Sequence, residues 1–288
     1  LQGDAVTLRI ASISGGGSRG AWHAGVARYL TSREGAQYDA AHGISVGSLN
    51  AVGLCQYADS RVAAEVIEAR WYSLRGTGDV LRSRGPWLTA IAAESLYTVD
   101  PLRARLTDWA GSRAVKPCVA WAVETMSGAM GRYDLAALSL DRRVEALLAS
   151  SSYPLAMPPV GTMRDGGLRS LFPLRECLTE YPDADVIDVL VCSPLDGPEL
   201  RERAYGPGEE LMRCVELLSF GVALNSLNEA RVVWLERKLR GERVPTVRIY
   251  APSVMPTPDP MAFDKGAIEA AIRQGFDDAA KGPWQEWR

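Results

Sequence analysis

The sequence predicts an α/β fold in which a mostly parallel β-sheet is covered by helices on both faces. Short apolar runs suited to buried strands alternate along the chain with longer segments whose apolar residues recur at helical spacing. The strand candidates are near-continuous apolar runs, as in sheets that are buried on both sides. At 288 residues the chain can bury a sizeable core. It shows no internal repeat, low-complexity tract or linker, so we expect one domain over residues 1–288.

The first strand is predicted over residues 7–14, and it runs directly into a glycine-rich loop. The helix predicted after this loop has small and apolar residues at helical spacing, namely Ala21, Ala24, Val26, Ala27 and Leu30. A second strand is predicted near 38–44 and ends at Ser45, and a helix follows it from about Leu49. Residues 61–74 have the pattern of an amphipathic helix.

The middle of the chain is irregular over residues 75–98, where glycines and a proline interrupt the pattern. A helix is predicted from Asp100 and Pro101, because Asp caps a helix and Pro fits its first turn. Residues 118–123 suit a buried strand, and Asp141 opens another helix. The remaining predicted elements are a strand over 186–191, one long helix or two over 208–240, a strand over 247–250 and a helix over 266–281.

The composition narrows the possible partners. A formal net charge of −3 gives no electrostatic basis for nucleic-acid binding or for strong attraction to anionic lipid. The chain has two histidines and no CxxC pair, so it has no zinc-binding pattern, and we expect no metal or cofactor. No apolar run reaches the ~18 residues of a membrane span. We expect a cytoplasmic or peripheral membrane protein; secretion is left open because the chain begins at Leu1.

The first candidate functional motif is the glycine-rich loop after the first strand. Gly15, Gly17 and Gly20 have the spacing of a dinucleotide-binding loop, with Glu34 or Asp39 as the acidic residue further on. The same loop suits any anion, because glycines permit close approach and free N–H groups at a helix N-terminus point at negative charge. A pyrophosphate, the oxyanion of an acyl-transfer intermediate, or a plain strand-to-helix turn all fit this motif.

The second motif is Gly43-Ile44-Ser45-Val46-Gly47, which matches G-x-S-x-G. In a nucleophile elbow the serine lies on a sharp turn between a strand and a helix, and the flanking glycines make room for that turn. An apolar run precedes this motif and a helical pattern follows it. The sequence therefore favours Ser45 as a nucleophile.

The base that would activate Ser45 is less evident. Only His23 and His42 are present, and both precede Ser45, whereas the histidine of an α/β-hydrolase triad follows the serine. Asp165, followed by Gly166 and Gly167, is the candidate, although an ordinary Asp-Gly turn has the same appearance. Burial can raise the pKa of a carboxyl group and so make it a better base.

These stretches together resemble the patatin-like phospholipases. The similar stretches, in chain order, are Gly15-Gly16-Gly17-Ser18-Arg19-Gly20, Gly43-Ile44-Ser45-Val46-Gly47, Val99-Asp100-Pro101-Leu102, Ser150-Ser151-Ser152-Tyr153-Pro154 with Pro158-Pro159-Val160, Asp165-Gly166-Gly167, Phe172-Pro173-Leu174 and Gly275-Phe276. The resemblance covers residues 8–280. It departs from the family at Ser18 and Val46, where smaller residues such as Ala are more typical.

The resemblance implies a three-layer α/β/α sandwich and a Ser–Asp dyad without histidine, in which Ser45 is the nucleophile and Asp165 the base. It places the oxyanion hole at Gly15, Gly16, Gly17, Arg19 and Val46, with N–H groups of Gly16, Gly17 and Val46 donating and Arg19 steadying the loop. The motif glycines are Gly20, Gly43, Gly47, Gly166 and Gly167.

The implied activity is a lipid acyl hydrolase of the phospholipase A or lysophospholipase kind, acting on phospholipid or another acyl ester and touching membranes or micelles only peripherally. The alternatives are use of the same dyad by an acyltransferase or a thioesterase, and a nucleotide-binding module that uses the glycine-rich loop. Segment 75–98 has no family pattern and is interpreted as a lid. Its apolar tip, Pro86-Trp87-Leu88 with Ile91, suits contact with lipid, although core packing explains it equally well.

Overall fold

The computed structural model describes residues 7–85, 94–197 and 206–288. The described strands are β1 (Arg9–Ile13), β2 (Ala40–Ile44), β3 (Arg82–Ser83), β4 (Tyr97–Thr98), β5 (Cys118–Glu124), β6 (Met130–Asp134), β7 (Met163–Asp165), β8 (Val186–Leu190), β9 (Thr246–Tyr250) and β10 (Gln285–Trp287). The described α-helices are α1 (Ala21–Arg33), α2 (Val46–Cys55), α3 (Ser60–Tyr72), α4 (Asp100–Trp109), α5 (Leu140–Ser150), α6 (Leu174–Glu180), α7 (Pro207–Leu239) and α8 (Lys265–Ala280).

The main sheet has the strand order β10-β9-β8-β1-β2-β5-β6, and β7 also pairs with β5. The five strands from β9 to β5 are parallel, whereas β6, β7 and β10 are antiparallel to their neighbours. From β1 the chain builds the sheet first toward β5 and later, through β8, toward β9. The order therefore reverses at β1, and in open α/β sheets such a reversal leaves a crevice at the carboxyl ends of the strands.

Helices cover both faces of the sheet. Alternate residues of β1 enter different cores, since Ile10 packs with α6 and α7 while Ala11 and Ile13 pack with α1, α2 and α3. Helix α8 lies beside α1, where Gly25 and Gly275 allow close approach: a methyl group on either would collide with the opposite backbone. The fold is the predicted three-layer α/β/α sandwich with a mostly parallel sheet.

A buried ionic cluster joins the parallel strands away from the glycine-rich loop. Asp188 of β8 is fully buried and accepts hydrogen bonds from Arg9 Nε at 2.6 Å, Arg248 Nε at 2.7 Å and the Tyr38 hydroxyl at 2.8 Å. A buried carboxylate needs such partners, because removing it from water is costly. The cluster therefore ties β1, β8 and β9 together.

The predicted elements from residue 7 to residue 74 and from 100 to 281 recur with shifts of a few residues at their ends, and 208–240 is one helix rather than two. The short strands β6, β7 and β10 were not predicted. Residues 86–93, which contain the apolar tip of the predicted lid, lie outside the described residues. Among the helices that are described, none is long and apolar enough to cross a membrane.

Candidate active site

Ser45 lies at the turn between β2 and α2, in a backbone conformation that is rare for a residue with a side chain. Its φ is 54° and its ψ is −129°. Such a conformation costs about 1–3 kcal/mol and persists only where the surroundings impose it. Here the Ser45 N–H donates to Ser150 Oγ at 2.9 Å, and the Ser45 carbonyl accepts from the Ser48 N–H at 2.9 Å. The turn has the strained geometry that a nucleophile elbow requires.

The glycines that flank Ser45 are required by close packing of the backbone. A methyl group on Gly43 would collide with the Gly47 carbonyl, and one on Gly47 would collide with the carbonyl of Ile13 in the neighbouring strand. The strand can therefore turn sharply into α2 only with glycine at both positions. The spacing predicted from the motif has this physical basis.

Asp165 reaches Ser45 because β2 and β7 occupy the same edge of β5. Ile44, at the end of β2, pairs with Trp121, and Asp165, at the end of β7, pairs with Ala122, the next residue of β5. The carboxyl ends of β2 and β7 thus meet, and Ser45 and Asp165, which are 120 positions apart in sequence, follow and occupy these two ends.

The Asp165 carboxyl group is almost completely buried, at 3% exposure. Burial raises the pKa of Asp165 to about 6, and hydrogen bonds from the Ser45 side chain and the Gly167 N–H partly oppose that rise. The Gly167 N–H lies 2.7 Å from Asp165 Oδ1, and the Asp165 N–H donates to the Ser152 carbonyl at 3.1 Å. Gly166 packs against the Trp121 carbonyl, where a methyl group would lie 2.7 Å from the oxygen. The carboxylate is thus held in one orientation toward Ser45.

The glycine-rich loop lies directly against Ser45. A methyl group on Gly15 would lie 3.2 Å from Ser45 Cβ, and the Gly15 N–H donates to the Leu171 carbonyl at 3.0 Å. The Gly15 N–H is therefore already used within the protein, and a role of Gly15 in the oxyanion hole stays a prediction. Gly16 and Gly17 have φ values of 152° and 59°, which favour glycine. Their N–H groups have no acceptor among the described residues.

Arg19 holds the glycine-rich loop to a distant segment of the chain. Its Nε and Nη2 atoms donate to the carbonyls of Thr257 and Pro258, both at 2.9 Å. The adjacent Ser18 N–H donates to the Pro260 carbonyl at 2.8 Å, and the Ser18 hydroxyl lies 3.1 Å from Thr257 Oγ1. Ser18 and Arg19 therefore position the loop through hydrogen bonds to residues 257–260.

Val46 is the first residue of α2, so its N–H lies among those that a helix leaves unpaired at its start. The positive end of the helix dipole is at the same place, which favours negative charge beside Ser45. The Val46 side chain is buried against Gly20, where a methyl group would lie 2.5 Å from Val46 Cγ2. The larger residue at position 46 therefore packs behind the loop.

Neither histidine is placed to act on Ser45. His23 Nε2 lies 3.3 Å from Ser14 Oγ and its Nδ1 lies 3.3 Å from Asn50 Nδ2, and complete burial lowers the pKa of His23 to about 3. His42 contacts the Tyr181 hydroxyl at 3.3 Å, and burial lowers the pKa of His42 to about 4. Both rings are therefore neutral at pH 7, and His23 supports the strand that leads into the glycine-rich loop.

A cavity of about 560 Å³ opens onto Ser45 and Asp165. Its walls are mainly apolar and come from α3, α4, α7 and the segment near residue 260. Such a concave apolar cavity with a few polar groups at one point is typical of a small-molecule or lipid site. Both predicted residues, Ser45 and Asp165, therefore lie beside an apolar space.

Sequence reasoning missed several residues that arrange this site. Ser150, whose hydroxyl accepts the Ser45 N–H and donates to the Trp121 carbonyl at 2.7 Å, was noted only as part of a similar stretch. Ser14 and Asn50 were not singled out, and neither was segment 257–260. Each acts through a contact distant in sequence, so no local pattern indicates its role.

Similarity to known proteins places the chain in a family. The patatin-like phospholipase family model matches residues 11–178, more than half of the chain, and the chain belongs to this family. No curated protein sequence matches it. Among solved structures, the chain is similar to VipD from Legionella pneumophila, with 13% identity and a TM-score of 0.41 over 98% of this chain and 68% of that one. Membership of the family makes the chain a lipid hydrolase or esterase.

Proposed function

We propose that the chain cleaves fatty acyl esters through a covalent acyl-Ser45 intermediate, with Asp165 as the base. The observation that carries the proposal is the continuation of β2 by β7 along β5, which brings the buried Asp165 carboxylate to the strained Ser45 turn. The shared apolar cavity supports a fatty acyl substrate. Phospholipid or lysophospholipid is the substrate class that family membership favours.

In the first half of the reaction, Asp165 accepts the hydroxyl proton of Ser45 as Ser45 Oγ attacks the ester carbonyl carbon. The carbonyl oxygen takes the electron pair and becomes an oxyanion. The N–H groups of Gly16, Gly17 and Val46 donate to this oxygen, beside the N-terminus of α2. As the carbonyl re-forms, the bond to the alcohol breaks, Asp165 returns its proton to the leaving alkoxide, and an ester of Ser45 remains.

In the second half, Asp165 accepts a proton from water, and the resulting hydroxide attacks the acyl-Ser45 carbonyl. Collapse of the second oxyanion breaks the bond to Ser45 Oγ, which takes the proton back from Asp165. The products are a fatty acid and the free serine. One carboxylate therefore serves as base and then acid in each half, which suits a pKa near the working pH.

Covalent labelling tests the role of Ser45. A fluorophosphonate probe should label the wild-type chain, and peptide mass spectrometry should place the adduct on Ser45. Ser45→Ala should abolish labelling, while Ser32→Ala, which removes an exposed hydroxyl on α1, should leave it unchanged. Labelling that survives Ser45→Ala would contradict the proposal.

Product analysis tests the reaction. Incubation with a mixed phospholipid extract, followed by mass spectrometry, should release free fatty acids from wild-type protein and none above background from Ser45→Ala. Parallel reactions with added alcohol show whether water is the acceptor, because a transferase would yield a new ester in place of the free acid. Predominant ester formation would replace the hydrolase proposal with the transferase one.

A further inference from the structure

Arg70 of α3 lines the same cavity as Ser45, and no carboxylate of the described residues forms an ion pair with it. Its Nη2 donates to Gln56 Oε1 at 2.8 Å and to the Trp109 carbonyl at 2.7 Å. Both acceptors are uncharged. Among the described residues, no carboxylate lies within 4.0 Å of the guanidinium, and Asp108 acts on it only at longer range.

The hydrogen bonds of Arg70 differ from those of a buried arginine with a purely structural role. Arg143 provides the comparison, because its Nε, Nη1 and Nη2 all donate to backbone carbonyls, at 2.6–3.1 Å. Arg70 uses only Nη2 in this way. Its Nε and Nη1 have no acceptor in the described part of the chain, and neither atom is completely buried. These two donors are therefore unused by the described residues, on a side chain that lines the cavity.

The distance between Arg70 and Ser45 follows from helix α2. Ser45 precedes the first residue of α2, and Arg70 Nη1 lies beside Gly53, where a methyl group would be 3.2 Å away. Eight residues of α-helix separate Ser45 from Gly53, which is a rise of about 12 Å. Leu49 and Asn50 of α2 line the cavity between these ends.

The surroundings of Arg70 favour an anionic partner. Apolar side chains, including Ile67 of α3, Leu102 of α4 and Leu74 two residues after the end of α3, line the same cavity. Burial lowers the pKa of Arg70. A cation placed in an apolar space is stabilised by an opposite charge there more than by neutral acceptors alone. The cavity is also lined by Arg213, which lies 3.2 Å from Glu216, and by Arg19, which donates to backbone carbonyls of the 257–258 segment.

We propose that Arg70 forms an anion subsite, which binds a carboxylate or phosphate group that the substrate carries about 12 Å from its scissile carbonyl. This inference rests on the proposed role of Ser45 as nucleophile. The anion has two possible sources. It is either the far end of an acyl chain of roughly eight to ten carbons, given C–C bonds of about 1.5 Å, or a phosphate in the alcohol part.

Two matched pairs of substrates distinguish these sources. In the acyl pair, p-nitrophenyl decanoate is compared with the mono-p-nitrophenyl ester of decanedioic acid, which adds a terminal carboxylate. In the alcohol pair, the butyrate monoester of 1,7-heptanediol is compared with its 7-phosphate, whose phosphorus can lie about 12 Å from the ester carbonyl. The readout is the ratio of kcat/KM for the anionic member to that for the neutral member, so a loss of active protein changes both values and leaves the ratio unaltered.

Arg70→Gln should lower this ratio by about tenfold or more in one of the two pairs, as expected for the loss of a hydrogen bond to a charged group. Arg70→Lys, which keeps the charge, should restore much of the difference. Arg105→Gln is the matched control, since Arg105 on α4 lies outside the cavity and pairs with Asp79 at 3.0 Å. Ratios that stay within about twofold of wild type in both pairs would overturn the inference.

Binding to the Ser45→Ala protein separates failure of the subsite from failure of the proposed reaction. In thermal-shift titrations, decanedioate and glycerol phosphate esters should stabilise Ser45→Ala more than decanol does, and Arg70→Gln in that background should remove the difference. If wild type hydrolyses no ester but this binding pattern holds, the nucleophile proposal fails and the anion subsite stands. If neutral esters are hydrolysed and no anion preference appears, only the subsite fails.

Discussion

The pH dependence of ester hydrolysis is the sharpest test of Asp165 as the base. In the proposed reaction only the ionised carboxylate accepts the Ser45 proton, and burial raises the pKa of Asp165 to about 6. Activity should therefore be high above that pH and fall as the pH drops through it. The perturbation is a change of pH between 8 and 4.5, with kcat/KM measured on a neutral short-chain p-nitrophenyl ester.

The size of the effect follows from the ionised fraction. With a pKa of about 6, roughly nine-tenths of the Asp165 carboxyl groups are ionised at pH 7 and about one-tenth at pH 5. We therefore expect kcat/KM to fall about tenfold between these values, with the slope approaching one decade per pH unit below the pKa. An ordinary aspartate, with a pKa of about 3.9, would give an almost flat profile over this range.

The histidines provide the control. Burial lowers the pKa of His23 to about 3 and that of His42 to about 4, so neither can produce an inflection near pH 6. His42→Asn should therefore retain the inflection, while Asp165→Asn should lose activity by about 10²- to 10⁴-fold at pH 8. A profile that is flat from pH 8 to 5, or an inflection that disappears in His42→Asn, would refute the assignment of the base.

Three further outcomes are expected. Asp165→Asn should raise the melting temperature at pH 7. The folded pKa of Asp165, about 6, exceeds its unfolded value, so the carboxyl group favours folding at low pH, and about 3 kcal/mol of the free energy of unfolding is lost as the pH rises through that pKa. Calorimetry that shows no gain in melting temperature would contradict this. At Gly17, φ is 59° and an added methyl group would collide with the Pro260 carbonyl. In Gly17→Ala, the free-energy equivalent of the loss in kcat, from kinetics, should exceed the loss in the free energy of unfolding, from circular dichroism. Asp188→Asn should destabilise the fold by about 3–5 kcal/mol in urea, because Arg9 and Arg248 lose a buried partner, and a smaller change in the free energy of unfolding would show that the cluster is weakly coupled.

The position of Ser45 could be predicted from sequence because its determinants are local. The apolar strand, the two flanking glycines and the helix that follows all lie within about fifteen residues, and the structure gives each the packing role that the motif implies. The parallel sheet could be predicted for a similar reason, since strands buried on both faces have near-continuous apolar sequences.

The approach of Asp165 could not be predicted in the same way. It depends on β7, a strand of three residues of which only Asp165 is buried, and on the register of β7 against β5. A strand this short has no periodicity, and pairing register is not written in a local pattern. The unused donors of Arg70 could not be predicted from sequence either. The pattern of α3 indicates only an amphipathic helix, whereas the cavity beside Arg70 is formed together with α2 and α4.

The surroundings of Asp165 balance two opposing requirements of a carboxylate base. A pKa of about 3.9 would leave the group ionised but with little affinity for a proton, whereas a pKa well above 7 would leave it protonated and unable to accept one. Burial raises the pKa of Asp165, and the hydrogen bonds from Ser45 and the Gly167 N–H limit the rise to about 6. Relative to an exposed aspartate, proton affinity increases by about 100-fold while most of the groups remain ionised at pH 7. Since the Gly167 N–H reaches Asp165 Oδ1 through the tight Asp165-Gly166-Gly167 turn, we expect these two glycines to help set the pKa of the proposed base. In the proposed mechanism a histidine is then unnecessary, because the carboxylate has a proton affinity close to the one that an imidazole would provide.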